Sequence, residues 1–151
     1  MEVMSAGKMA VYVDSVGAPV SAWQPNEHIG AQLVNEPGAF CWPELATGDL
    51  AAALGFYERV FNWVANPTEM DGTPYTLWNL GERPIGGLFE DTSGPSHWAI
   101  SFAVADCDAT VAKAQELGGS VAAPAVSSSV GRYAGLIDPH GAHFGVIQLA
   151  S

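Results

Sequence analysis

The chain has 151 residues, 48% of them hydrophobic, and a formal charge of −11 with only five Lys plus Arg. This is the size of one ordinary domain, with enough apolar side chain to bury a core. The charge argues against nucleic acid or an anionic membrane as partner, no apolar run is long enough to span a bilayer, and MEVMSAGKM has no basic flank before an apolar segment; the expectation is a cytoplasmic protein without a signal peptide.

Along the chain, Ala10–Val13 and Pro19–Trp23 read as strands joined by a turn over Asp14 to Gly17. Residues 25–37, with Pro25, Asn26, Gly30, Asn35 and Pro37, have the composition of a linker. A strand follows from Phe40, and Asp49 then caps an amphipathic helix with apolar positions Leu50, Ala53, Leu54, Tyr57, Val60 and Phe61. VANPTEMDG reads as a strand broken by Pro67, and Tyr75–Leu80 with Ile85–Glu90 as a hairpin. His97–Val104 alternates strictly, with Trp98, Ile100, Phe102 and Val104 on one side. Asp106 caps a second helix with apolar positions Cys107, Val111, Ala114 and Leu117, stopped by Gly118-Gly119. Val121–Ser127, Arg132–Ile137 and His143–Leu149 complete the strands. Cys41 and Cys107 lie in apolar contexts without metal spacing and read as buried free thiols.

Two internal echoes organise these elements. Leu45-Ala-Thr-Gly-Asp49 and the helix after it line up with Phe102-Ala-Val-Ala-Asp106 and the second helix. Residues 40–90 and 97–149 are then two copies of one βαβββ unit. The expected fold is α+β, with the paired modules forming a curved eight-stranded mixed sheet whose helices cover the convex face. Residues 7–24 also line up without gaps on 131–148: Gly7, Ala10, Asp14, Gly17, Ala18 and Gln24 meet Gly131, Ala134, Asp138, Gly141, Ala142 and Gln148. Residues 1–24 therefore read as the last hairpin of a preceding copy of the domain, 25–38 as a linker and 39–150 as one whole domain. The hairpin should fold back on its own domain or dock on a second copy. A homodimer through 7–24 is the expectation, because the domain already holds an equivalent hairpin.

The strand–Gly-Asp–helix pattern with FYERVFNW, the WAISFAVADCDATVAKAQELGG unit and the DPHGAHFGVIQ ending resemble the vicinal oxygen chelate superfamily over residues 39–150. That superfamily includes glyoxalase, bleomycin-resistance and extradiol dioxygenase proteins, and the pattern is similar to its tandem-domain glyoxalase-like bacterial members. The resemblance implies metal ligands on the first, fourth, fifth and eighth strands. Aligned on the motifs, three of these positions are Trp42, Ala99 and Gly145, and the fourth-strand position falls in Ile85–Glu90, where Glu90 is the only candidate. No metal and no other cofactor is therefore expected.

Period two places Phe40, Trp42 and Glu44, then His97, Ala99 and Ser101, then His143, Gly145 and Ile147 on the concave face. Aromatic beside small residues suggests a cavity for an apolar or aromatic small molecule, with Phe40, Trp42, Glu44, His97, Ser101, His143 and Ile147 as its lining. The competing reading is that Phe40 and Trp42 only fill a core. Tyr75 and Trp78 face opposite ways, and period two leaves open which looks inward. Glu44, His97 and His143 are the candidates for a displaced metal site or an acid–base pair, against the plainer reading of rim residues. Two functional classes follow: a metal-free small-molecule binder, or a glyoxalase- or dioxygenase-like enzyme (lyase, isomerase or oxidoreductase) with a displaced site.

Overall fold

Both expected helix caps form. Asp49 Oδ1 accepts from the Ala52 amide at 3.0 Å and opens α1 (Leu50–Phe61), and Asp106 Oδ1 accepts from the Ala109 amide at 2.9 Å and opens α2 (Cys107–Glu116). The computed structural model describes residues 1–150. Its strands are β1 (Glu2–Val3), β2 (Gly7–Val13), β3 (Pro19–Pro25), β4 (Phe40–Thr47), β5 (Val64–Met70), β6 (Thr73–Leu80), β7 (Arg83–Glu90), β8 (His97–Ala103), β9 (Ser120–Ser128), β10 (Gly131–Ile137) and β11 (His143–Leu149).

Strands β4 to β11 form one curved eight-stranded sheet in the order β5-β6-β7-β4-β8-β11-β10-β9. At its centre β4 and β8 pair antiparallel, and each has a parallel partner on its other side, β7 and β11. The two βαβββ modules thus join edge to edge as their sequence echo predicts, and the fold is the expected α+β half-barrel. Leu45, Ala53, Tyr57, Trp78 and Leu88 form one core under α1; Cys107, Ala134, Leu136 and Val146 form the other under α2.

Three local details depart from expectation. Pro67 does not break β5, because β5 is the sheet edge and needs no amide toward solvent. The two-residue β1 has no periodic signal and forms by pairing Glu2 with Lys8 and Val3 with Gly7. Cys107 is buried and Cys41 only half-buried; both are free thiols.

The hairpin β2–β3, with β1, forms a separate three-stranded sheet. Its turn repeats that of β10–β11 bond for bond. Asp14 Oδ1 accepts from the Val16 and Ala18 amides at 3.0 and 2.8 Å, and Asp138 Oδ1 accepts from those of His140 and Ala142, both at 2.8 Å. Gly17 and Gly141 close the turns at φ of 91° and 90°, a backbone conformation that favours glycine.

The β2–β3 turn lies on α1 of its own chain. Ala18 is 0% exposed within the first core, and the Ser15 hydroxyl donates to the Ala52 carbonyl at 2.8 Å. The Tyr57 hydroxyl donates to Asp14 Oδ2 at 2.6 Å and accepts from Trp98 Nε1 at 3.0 Å. Burial and the Asp14 carboxylate push the Tyr57 phenol well above its ordinary range. Of the two placements open to the hairpin, it takes the one on its own domain, and the space it fills is on the helix rather than in the sheet.

Tyr57→Phe leaves Asp14 Oδ2 and Trp98 Nε1 unpaired at a buried site. It should cost about 1–3 kcal/mol in denaturant unfolding and make the 7–24 hairpin more sensitive to protease. A change within error in both measurements would mean that the hydroxyl does not hold the hairpin.

Candidate functional site

The face of β4 turned away from the helices carries Trp42, Glu44 and Ala46. They pair with Ser101, Ala99 and His97 of β8, all on the same concave side. On β6, Trp78 is fully buried under α1, so Tyr75 faces the concavity. Tyr75 must cross β7 to reach β4, and Gly87 lets it do so: a Cβ there would lie 1.6 Å from the Tyr75 hydroxyl oxygen. That hydroxyl donates to Glu44 Oε1 at 2.6 Å and accepts from Trp42 Nε1 at 2.9 Å. Burial raises the Glu44 carboxyl above its ordinary range, and the Tyr75 hydrogen bond opposes the rise only in part. Burial and Glu44 together push the Tyr75 phenol up. An indole, a phenol and a carboxyl thus form one hydrogen-bonded chain on the concave face.

The second module repeats the frame with other residues. The pairings Thr76–Leu88 and Ala134–Val146 place Tyr133 in the position of Tyr75, and Glu44–Gly87 and Ser101–Gly145 place Ser101 in that of Glu44. A Cβ on Gly145 would lie 2.3 Å from the Ser101 hydroxyl oxygen. Tyr133 is 42% exposed, as is Val126 beside it. The two halves are therefore unequal: the first is closed by Tyr75, and the second is a shallow floor of Ala99, Ser101, Gly135 and Gly145 beside an exposed phenol.

The remaining expected residues separate. Ile147 lies on the floor row, opposite Tyr133. His143 is exposed at the start of β11, opposite Ile137. His97 is exposed, with Nδ1 3.0 Å from the Pro95 carbonyl. Phe40 leaves the concave row, because a bulge between Phe40 and Trp42 puts it opposite Phe102. Phe102 in turn meets Phe144 edge-on at 6.2 Å, and Phe144 packs on the α2 core. Sequence reasoning left Tyr75 undecided and missed Tyr133. The adjacent Gly86 and Gly87 were the available sign that side chains or backbone approach closely there.

A metal of the kind the fold resemblance implies does not fit these residues. Trp42, Ala99 and Gly145 offer no ligand atom, and Glu90 pairs with Thr47 in the row of Leu45 and Leu88, facing the helix side. Among the described residues, no three His, Cys, Asp or Glu side chains come close enough to hold an ion, so Glu44, His97 and His143 do not make a chelating set. A separate apolar groove of about 570 Å³ lies on the opposite side of the sheet, between α2 and the β10–β11 turn.

A family model described as a glyoxalase-like domain matches residues 43–147. The chain is 41% identical over 152 residues to the anthracycline biosynthesis protein DauV of Streptomyces sp. (strain C5), covering 99% of this chain and 55% of DauV. It is 44% identical over 153 residues to CFP32 of Mycobacterium tuberculosis (strain CDC 1551 / Oshkosh), provisionally named a glyoxylase, covering 99% of this chain and 59% of CFP32. The chain thus spans little more than half the length of the curated relatives it matches. In fold it is similar to methylmalonyl-CoA epimerase from Mycobacterium tuberculosis, with a TM-score of 0.55 and 16% identity over 74% of this chain and 88% of that one.

Because Glu44 is raised above 4.5 in the folded chain, the native state holds its proton more tightly than the unfolded state does. Its contribution is fully present below the unfolded pKa and is lost as pH rises through the folded pKa. Glu44→Gln keeps an acceptor for Tyr75 and removes the ionisation. The stability of the variant relative to wild type should therefore rise between pH 4 and pH 8, measured by urea unfolding at each pH. A difference independent of pH would place Glu44 in a solvated setting.

Proposed function

The chain belongs to the glyoxalase-like domain family, and from that premise we propose that its concave face binds a planar aromatic small molecule without the help of a metal. The observation that carries this reading is the inequality of the two modules. The Trp42–Tyr75–Glu44 chain makes a hydrogen-bonded wall, and the facing half offers a floor of small residues beside the exposed Tyr133. A flat ring system fits such a floor, with aromatic walls to stack on and one carboxyl to orient a polar substituent. The ligand-position residues Trp42, Ala99 and Gly145 support the metal-free part. Relatives named for anthracycline biosynthesis fit a polycyclic aromatic ligand.

A second reading is an enzyme that moves a proton through Glu44. It is favoured by one specific observation, a carboxyl raised by burial and held by a phenol. The two readings separate on turnover: a binder converts no ligand and Glu44→Gln alters only its affinity, whereas an acid–base enzyme loses turnover in Glu44→Gln while still binding.

Fluorescence titration with fused-ring aromatic compounds tests the site. Trp42→Ala and Tyr133→Ala should each weaken binding roughly two- to twelvefold, the equivalent of about 0.5–1.5 kcal/mol per stacked pair. An affinity unchanged by both substitutions would move the site off this face.

A further inference from the structure

The turns Asp14–Ala18 and Asp138–Ala142 have the same internal bonds and glycine conformation but opposite surroundings. In the first, the alanine is fully buried on α1 and the second carboxylate oxygen takes the Tyr57 hydroxyl. In the second, Ala142 is exposed, and Asp138 Oδ2 takes no hydrogen bond among the described residues. The Asp138 carboxyl is held below its ordinary range by the amides of its own turn, so the free oxygen is an anionic acceptor at neutral pH.

We infer that the Asp138–Ala142 turn is a docking knob for the helix face of a second domain of this modular type, one that presents a tyrosine where α1 presents Tyr57. The knob and its receptor are both visible in the chain, since Asp14–Ala18 sits on α1 in just this way. The receptor consists of a helix face with a small residue in the core that the alanine joins, here Ala53, and a phenol for the free carboxylate oxygen, here Tyr57. Aligning the caps Asp49 and Asp106 puts Thr110 and Ala114 at these two positions of α2. The uncovered groove on α2 therefore has no phenol for the carboxylate and does not suit this turn. The partner is a helix of the α1 kind. In this chain β2–β3 already occupies α1, so the knob needs such a face on another domain. The curated relatives have room for one, because the stretch shared with DauV is 55% of that protein.

The test uses the full chain as its own partner. Ala18→Arg puts a charge in a fully buried site and lifts β2–β3 from α1, leaving Tyr57 bare. Analytical ultracentrifugation should show an association step in the Ala18→Arg variant that wild type lacks, with the 138–142 turn of each copy on α1 of the other. Adding Ala142→Arg should weaken that self-association roughly a hundredfold or more, as expected for a buried unpaired charge. If circular dichroism shows Ala18→Arg to be unfolded, Asp14→Asn with and without Asp138→Asn repeats the comparison with near-isosteric changes. Association should appear in the first and vanish in the second. Folded single variants that associate no more than wild type, or association that Ala142→Arg and Asp138→Asn leave unchanged, would overturn the inference.

Discussion

One phenol oxygen joins three separate parts of the chain. Tyr57, fully buried on α1, donates to Asp14 of the N-terminal hairpin and accepts from Trp98 of the central strand β8. Its ring packs against Trp63 at 5.1 Å, Trp98 at 5.5 Å and Trp78 at 5.7 Å. A buried carboxylate is costly unless its oxygens are bonded, and here both are: Oδ1 by the turn amides and Oδ2 by Tyr57. The helix, the sheet and the hairpin are thereby fixed relative to one another. The first module's convex side is closed by this arrangement, and the side chains of β4, β6 and β7 that cannot enter that core project into the concavity.

Duplication supplies the frame of the site, and divergence supplies its chemistry. Both modules have a glycine on the strand parallel to the central one, Gly87 and Gly145, and a tyrosine one strand further out, Tyr75 and Tyr133. Only the first has a carboxyl for its phenol to bond; the second has Ser101 there, and its tyrosine stays exposed. A symmetric trough becomes an asymmetric one, with a hydrogen-bonded wall on one side and a floor of small residues on the other. The positions that the family resemblance assigns to metal ligands carry an indole, a methyl group and a hydrogen atom. In the proposed binding mode, stacking and one buried carboxyl take over the role of holding a ligand.

Much of this was legible in the sequence because local rules govern it. Asp49 and Asp106 announce the helices through the amides they cap, and the Asp-x-x-Gly echo between 14–17 and 138–141 announces two turns that the structure shows to be bonded alike. What period two cannot supply is its own sign: it separates Tyr75 from Trp78 without saying which is inside. That was decided by α1, whose aromatic face needs Trp78 as core. Period two also fails across a bulge, which is why Phe40 left the row of Trp42. The choice between the hairpin's two placements was undecided for a different reason. Its contact is a tertiary hydrogen bond between residues 14 and 57, and no local pattern links them.

The proposed working surface of the domain is the Trp42–Tyr75–Glu44 wall with the Ser101–Gly145 floor. Amide and indole chemical-shift mapping by NMR, during titration with a fused-ring phenol, tests it most directly. The shifts should concentrate on the Trp42 indole and on the amides of Ala99, Ser101, Gly135 and Gly145. Shifts confined to Leu117, Phe144 and the rest of the α2 groove would contradict it.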